Sequence, residues 1–404
     1  MIPLGLTSRE QAAFHRQLEA GYDLDVRVEL MDLEENRLAT LTSWIMGGQV
    51  VVDADEMTTR SCQLTLLDPE HRSGIDPSTA GAPTYLNRMI YVTYGVWVDS
   101  LERWVRVPVF RGPISKVDRD GDTLDIEALG KEHLLRREAG WSKVYPAGAL
   151  RTDVIKDIAR KSGERRLSIP SWRQRTGKST VMVKLGVQSH PWSWMRIAAH
   201  SMRAQIWYDG SGRLRLRKRP TRVSWHFKEH HLLSTPKVTV DDEEIFNHVW
   251  VKGAAPEGKK TVIEARGFIA ASHRFSAQRL ARNGHYGRLT DKIEDDSIRS
   301  LHDARVARDR RIKEIEIVDY TVEFDCIPVP HLDPNDMAHL AWDEAPGQFR
   351  VKKFTIPLVA GESMSMGYTK ETRHTANMKK AHRMRARNRA REAAAIKKKA
   401  AKKK

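Results

Sequence analysis

The alternation of apolar and polar residues predicts strands along most of the chain. Residues 22–30 read YDLDVRVEL, in which apolar positions alternate with charged ones. A period of two is typical of a half-buried antiparallel strand. Similar runs occupy residues 49–53, 61–67, 89–98, 104–111 and 122–129. Turn-rich pieces such as DPEHRSGIDPSTAGAP separate these runs, which favours a sandwich or a small barrel.

Residues 109–132, VFRGPISKVDRDGDTLDIEALGKE, predict a hairpin turned by Asp-Gly. On the returning strand Leu124, Ile126 and Ala128 alternate with two acids. The acidic face is most simply a solvated strand face. The stretch contains no catalytic motif, so we interpret it as architectural.

Two helices are indicated where the period lengthens. Residues 7–20 form a short amphipathic run in which Ser8 and Gln11 have capping-box spacing and Gly21 ends the helix. The run TDVIKDIARKSGE predicts a second helix, capped by Thr152 or Asp153, with a basic C-terminal end.

The run PWSWMRIAAHSMRAQIWYDGSGRLRLRKRP predicts a helix opened by Pro191, a strand through residues 206–208, a Gly-Ser-Gly turn and a further strand. Strands return from Lys237. A charged helix follows at about 295–312, and a clean strand at 320–326. The runs MAHLAW, QFRVKKFTIPL and ESMSMGYTKE indicate a last β-unit.

These patterns predict a mainly-β fold with α+β modules in five parts. They are an N-terminal helical arm (1–21), a first β-barrel-like domain (22–135), an α/β module (136–235), a second β-barrel-like domain with a helix (236–372) and a flexible basic tail (373–404). A chain of 404 residues is long enough for two or three domains.

The net charge of +17 is concentrated in the tail. Residues 373–404 hold fourteen Lys or Arg and one Glu, a net charge of +13, which leaves +4 for the other 372 residues. The body is therefore not predicted to be a nucleic-acid-binding fold. The tail has almost no apolar face, which favours a solvated disordered segment; contact with a polyanion or an acidic partner is the alternative. The candidate contact residues are Arg383, Arg385, Arg387, Arg389, Lys397, Lys398, Lys399, Lys402, Lys403 and Lys404.

The two cysteines, Cys62 and Cys326, lie in apolar strand contexts and are expected to be buried thiols. No apolar run approaches the roughly 20 residues of a membrane span. The N-terminus lacks the basic and apolar regions of a signal peptide, so a soluble protein made in a reducing cytoplasm is expected.

No motif assigns a catalytic, cofactor or metal site. In RTGKST (175–180) a P-loop would need glycine where Trp172 stands. His226, His230 and His231 could bind a metal, but only Glu229 accompanies them nearby, which favours surface or packing roles. The acids of the 118–122 hairpin lack the downstream Glu of a calcium loop. The chain is predicted not to be an enzyme.

The order of these elements resembles the tail hub proteins of long-tailed bacteriophages, the baseplate-hub or minor tail protein family. Four segments carry the resemblance: VFRGPISKVDRDGDTLDIEALGKEHLL, TDVIKDIARKSGE, PWSWMRIAAHSMRAQIWYDGSGRLRLRKRP, and VPHLDPNDMAHLAW followed by FRVKKFTIPLVAGESMSMGYTKE. They span about 105–370. The match rests on order and spacing, and it explains neither the first helix nor the tail.

The resemblance implies two related β-barrel-like domains per subunit and a homotrimeric ring that adapts a six-fold tail tube to a three-fold tip around the genome-delivery channel. It implies contacts with the distal tail protein, the tape measure protein, other tail-tip proteins and, transiently, genomic DNA. The expected location is the virion tail tip, after synthesis in the host cytoplasm. Cell-wall digestion and receptor recognition are expected on other chains. The alternative function is a nucleic-acid-binding protein acting through the basic tail.

Overall fold

The computed structural model describes residues 1–69, 75, 87–146, 148–173, 183–239, 245–254, 262–273, 275–282, 287–295, 298, 300–315, 320–342 and 347–370. Within them the chain forms two compact units. Unit 1 comprises Met1–Lys237 and Glu323–Tyr368, and unit 2 begins with Val238–Val322.

The described α-helices are α1 (Ser8–Ala20), α2 (Glu132–Leu135), α3 (Arg151–Lys161), α4 (Pro191–Ser201), α5 (Ala277–Arg282) and α6 (Leu301–Ile315). The described strands are β1 (Leu24–Asp32), β2 (Arg37–Thr40), β3 (Ile45–Asp53), β4 (Arg60–Leu67), β5 (Arg88–Val98), β6 (Arg103–Asp120), β7 (Thr123–Leu129), β8 (Lys143–Tyr145), β9 (Leu167–Ser168), β10 (Val183–Leu185), β11 (Ala204–Tyr208), β12 (Leu214–Lys218), β13 (Val223–Phe227), β14 (Lys237–Thr239), β15 (His248–Gly253), β16 (Glu264–Phe268), β17 (Thr290–Asp295), β18 (Tyr320–Cys326), β19 (Met337–Leu340), β20 (Gly347–Arg350), β21 (Lys353–Pro357) and β22 (Met364–Lys370).

Unit 1 is built on one large sheet with the neighbour order β18-β22-β21-β3-β4-β7-β6-β5-β1-β2. The pairs from β22 to β2 are antiparallel. The mainly-β prediction is confirmed. Within the described residues, however, this sheet does not close into a barrel. Alternation along a strand fixes which face is buried, but it does not fix which strands pair at the ends of a sheet.

Strand β6 pairs with two strands in succession, and the Phe-Arg-Gly-Pro stretch lies where β6 passes from one partner to the other. Its first half pairs with β5 and its second half with β7, and the register shifts between Ile114 and Lys116. A Cβ at Gly112 would lie 1.9 Å from the carbonyl oxygen of Leu129, so only glycine permits this approach. The predicted hairpin is confirmed: Leu124, Ile126 and Ala128 are buried.

The chain returns to this sheet after leaving it. Residues 353–357 of β21 pair with residues 49–53 of β3, although the two segments were expected in different β-domains. The five-part division of the chain stays a prediction. Strands β13, β19 and β20 form a smaller sheet in unit 1, with β13 parallel to β19.

The region predicted as an α/β module packs α3 and α4 against β11 and β12 around buried Ile155, Trp192, Met195 and Leu214. Pro191 opens α4 as predicted. The predicted cap of α3 is wrong: Leu150 occupies the N-cap without a side-chain hydrogen bond, and Thr152 is buried inside the helix. Packing of the apolar face therefore sets this helix start.

Helix α1 ends at Gly21 as predicted, but its capping box lies one residue earlier than the sequence suggested. Thr7 is the N-cap, and its side chain pairs reciprocally with Glu10. Phe14 and Leu18 on one face of α1 are fully buried. Burial of each side chain of this size is worth about 1.5–3 kcal/mol, which anchors the helix to unit 1.

Unit 2 contains a three-stranded sheet with the order β16-β15-β17. Strand β15 is antiparallel to β16 and parallel to β17. Helix α6 packs on one face, where Val249, Val251 and Ala304 are buried. In the described part of the chain, no helix is both long and apolar enough to cross a membrane.

Candidate interaction surfaces

A half-buried charge network joins the large sheet of unit 1 to the helices and strands of residues 131–216. Glu35 stands in the turn between β1 and β2 with a left-handed φ of 72°. Its carboxylate accepts hydrogen bonds from Arg111 at 2.5 Å, from Lys131 at 2.9 Å and from Arg166 at 2.9 Å. Burial would raise the pKa of Glu35, but the hydrogen bond and charge of Lys131 and the two arginines hold it below its usual value. The network fixes the relative position of these two parts of unit 1.

A second buried ion pair joins distant segments of unit 1. Arg60, on β4, is 2% exposed and donates to Asp333 at 3.1 Å and to the carbonyl oxygen of Val109 at 3.1 Å. Asp333 is 1% exposed. Arg60 is charged and fully desolvated, so its partners must remain in place for the unit to be stable.

One edge of the large sheet is open to pairing. Strand β2 pairs with β1, and no other described strand pairs with it. Leu33 and Leu38, beside and within this edge, are 44% and 47% exposed. An edge with free backbone groups and exposed leucines is suited to pairing with another chain.

The acidic face of the β6–β7 hairpin is solvent-exposed. Asp125 accepts a hydrogen bond from Thr65 at 2.6 Å, and Asp118 pairs with Lys116. Because a lysine already neutralises Asp118, these contacts fit solvated strand residues better than a calcium loop.

The histidines of WHFKEHHLL separate in space. His226 lies on the exposed face of β13 with its ring 5.4 Å from that of His339. His230 and His231 lie in a short 3-10 turn, where His231 is 0% exposed and the two ring centroids are 4.3 Å apart. The third neighbour of this pair is Glu19 of α1, not His226.

Glu19 is the residue of this cluster that sequence reasoning missed. Its carboxylate accepts two hydrogen bonds of 3.1 Å from the Lys228 ammonium and lies 3.6 Å from Nε2 of His231. Lys228 and His231 oppose the burial that would raise the pKa of Glu19, and the pKa lies below its usual value. No local signal marks Glu19, because it is 209 residues distant from Lys228.

A further histidine pair lies under α1. Nε2 of His15 and Nε2 of His331 are 3.1 Å apart, and His331 is 0% exposed. Burial lowers the pKa of His15, and it lowers the pKa of His331 strongly, with the charges of His15 and the N-terminal amine acting in the same direction. Trp225 contacts both rings edge-on.

Both thiols lie in the described part of the chain, and the basic tail lies outside it. Cys62 and Cys326 are buried and free, as predicted, and burial raises the pKa of both thiols. Arg175–Thr180, the P-loop-like segment, falls outside the described residues. So do all ten candidate polyanion-contact residues of the tail, from Arg383 to Lys404. Their roles remain predictions.

In unit 2 the sheet face opposite α6 carries cations over an aromatic ring. Trp250 lies beneath the Arg266 guanidinium at 4.6 Å and the Lys292 ammonium at 5.2 Å. Phe268, 47% exposed, contacts the ring of His248 on β15 and the guanidinium of Arg288, which precedes β17. The cations shield the Trp250 ring from water at little cost, because they stay partly solvated.

No protein-family model matches the sequence, and a search of curated proteins finds no match. Among solved structures, the 43 kDa tail protein of prophage MuSo2 from Shewanella oneidensis is similar with a TM-score of 0.56 and 10% identity, over 87% of this chain and 98% of that chain. The tail protein from Neisseria meningitidis MC58 is similar with a TM-score of 0.50 and 10% identity, over 86% and 96%. A PdpA–VgrG complex chain has a TM-score of 0.50 and 9% identity, over 87% of this chain and 65% of that chain. The resemblance to phage tail proteins is thus confirmed at the level of the fold.

Proposed function

We propose that this chain is a structural, non-enzymatic protein of a phage tail that forms the homotrimeric hub at the tail tip. The observation that carries the proposal is the shared fold over 98% of the MuSo2 tail protein and 96% of the Neisseria tail protein. The similarity covers nearly the whole of both tail proteins and is not confined to one local site. Such extensive similarity favours a shared architectural role.

In this role the trimer would adapt a six-fold tail tube to a three-fold tip and frame the channel through which the genome leaves. Its neighbours would be the distal tail protein, the tape measure protein and other tail-tip proteins, with transient contact to genomic DNA. These assignments come from the hub resemblance. The rigid junction around Glu35 supports them, because a ring subunit must hold its parts in fixed relative positions.

The β2 edge is the subunit contact that we propose for the ring. Strand addition at an open edge supplies a row of backbone hydrogen bonds, and a heterologous contact of this kind generates a ring where the rotation between subunits closes. Leu33 and Leu38 would be covered on assembly. Both are exposed in the single chain, so their substitution should leave the fold of the subunit intact.

The test is the mass of the purified protein by native mass spectrometry. Wild type is expected as a trimer. Leu38→Asp should give monomer with an unfolding free energy within about 0.5 kcal/mol of wild type, because surface substitutions change stability little. Val187→Asp is the matched control, since Val187 is also exposed, at 53%, and lies outside the large sheet; it should remain trimeric.

A monomeric wild type, or a trimer that survives Leu38→Asp, would overturn the proposed contact. The location is tested separately by immunogold electron microscopy of phage particles with an antibody to residues 22–372. Gold confined to the tail tip supports the hub. Protein bound to DNA in the lysate, with no label on accessible tips, would favour the alternative nucleic-acid role.

A further inference from the structure

The contact between the last turn of α1 and the turn at residues 229–231 holds a group of side chains that can bind a metal ion. Glu19, His230 and His231 each offer one ligand atom, and these atoms all lie within 4.8 Å of one another. Glu19 comes from the last turn of α1, and the two histidines come from the 3-10 turn at residues 229–231. We propose that these three residues form a site for a divalent transition-metal ion of the zinc type.

The geometry is close to what such an ion requires. Zinc binds imidazole nitrogen and carboxylate oxygen at about 2.0–2.2 Å in tetrahedral arrangement, which places ligand atoms roughly 3.4 Å apart. Nε2 of His231 and Oε1 of Glu19 are 3.6 Å apart. The ring of His230 meets that of His231 nearly at a right angle, at 77°. His230 and Glu19 are exposed, so both side chains have room to rotate toward a common centre.

His231 supplies an independent sign of a ligand site. Its side chain is 0% exposed, and its Nε2 has no hydrogen-bond partner. A buried imidazole nitrogen that lacks a partner but is directed at a carboxylate is costly unless another group satisfies it. A metal ion placed between Nε2 and Glu19 would satisfy the histidine and the carboxylate together.

Two contacts compete with the ion, and both can be displaced. The Lys228 ammonium binds both oxygens of Glu19, but the lysine side chain is 49% exposed and can turn into solvent. The Lys228 amide donates to Nδ1 of His231 at 3.2 Å, longer than the usual distance of about 2.9 Å. Metal at Nε2 would move the ring proton to Nδ1 and give up this bond.

The bound ion would cross-link α1 to the turn at 229–231. Imidazole and carboxylate suit zinc, nickel and copper, and three protein ligands leave a fourth position for water. Through its ligands on both segments, the ion would hold the N-terminal helix to this turn. The site does not depend on the proposed tail function.

The test is isothermal titration of the chelator-treated full-length protein with Zn²⁺. Wild type should bind one ion per chain, and Glu19→Gln and His230→Asn should each weaken binding at least tenfold. Both residues are exposed, so these variants should fold normally. His226→Asn is the matched control and should bind as wild type, because His226 lies outside the group. Lys228→Met should tighten binding several-fold by removing the competing cation.

Amide hydrogen exchange supplies the structural readout. Zn²⁺ should slow exchange of residues 8–20 in wild type and leave it unchanged in Glu19→Gln. Absence of saturable binding would overturn the proposal. Equal affinities of wild type, Glu19→Gln and His230→Asn would also overturn it, and would place any bound metal elsewhere, for instance at the histidines of the tail.

Discussion

The large sheet of unit 1 and the three-stranded sheet of unit 2 handle charge in opposite ways. In unit 1 the Arg60–Asp333 pair is fully buried, and the Glu35 network is half-buried between segments distant in sequence. In unit 2 Arg266 and Lys292 lie over Trp250 on a face that stays partly solvated. Charged residues of the same type therefore contribute very differently to stability, because the free-energy cost of a charge rises with the hydration that it loses on folding.

The comparison also separates two ways of covering a sheet. On β15 the alternation is simple: Val249 and Val251 face α6, while Trp250 faces the cations. On β4 of unit 1, Cys62, Leu64 and Leu66 are buried, and the buried Arg60 at its start holds a loop that begins some 270 residues later. Local pattern accounts for the unit 2 sheet. The unit 1 sheet depends on strand pairing and an ion pair between segments remote in sequence.

The largest expected effect tests buried against exposed charge. Arg60→Ala removes the guanidinium that pairs with the buried Asp333 carboxylate, so the unfolding free energy should fall by about 3–5 kcal/mol, as for other broken buried pairs. Urea denaturation followed by circular dichroism measures it. Arg266→Ala in unit 2 is the control and should cost below about 1 kcal/mol, the scale of an exposed cation–π contact. Similar losses for both variants would contradict the comparison.

The second expected effect tests the close approach of β6 and β7 at Gly112, where β6 passes from β5 to β7. Gly112→Ala should destabilise by roughly 2–4 kcal/mol, because the new Cβ would lie 1.9 Å from backbone and strands β6 and β7 would have to separate. Gly47→Ala, where nothing lies within 4 Å of the added Cβ, should change stability by less than about 1 kcal/mol. Thermal unfolding of the pair gives the answer. A neutral Gly112→Ala would mean that the strands tolerate separation.

The smallest expected effect is the pH dependence of the folding stability of unit 1. The folded state lowers the pKa of His15 and His331 below the ordinary value, so the unfolded chain binds protons more readily. The stability that these neutral histidines provide is full above about pH 6.5 and is lost as the pH falls from there toward their folded pKa values. The melting temperature should therefore drop between pH 7 and pH 5, and His15→Gln should reduce that drop. An equal drop in both proteins would assign the pH dependence to other groups.

Much of the fold was predictable because strand alternation and helix periodicity are local properties. Strands at residues 61–67 and 320–326, the Asp-Gly hairpin and the start of α4 at Pro191 are confirmed. The predicted caps of α1 and α3 were wrong: the neighbouring Thr7 caps α1, and packing of the apolar face places Leu150 at the N-cap of α3. The proposed metal site was harder to predict from the sequence. His230 and His231 stood out in the sequence, but Glu19 did not.

The sequence by itself determined which residues of each strand face the core, where the chain turns, and that most of the positive charge belongs to residues 373–404. These features depend on neighbours a few positions apart. Only the tertiary structure decided that β21 pairs with β3, that Arg60 meets Asp333 and that Glu19 reaches His231. Such contacts join segments separated by hundreds of residues. Many pairings bury similar apolar area, and the packing of the whole chain, which no local pattern records, selects among them.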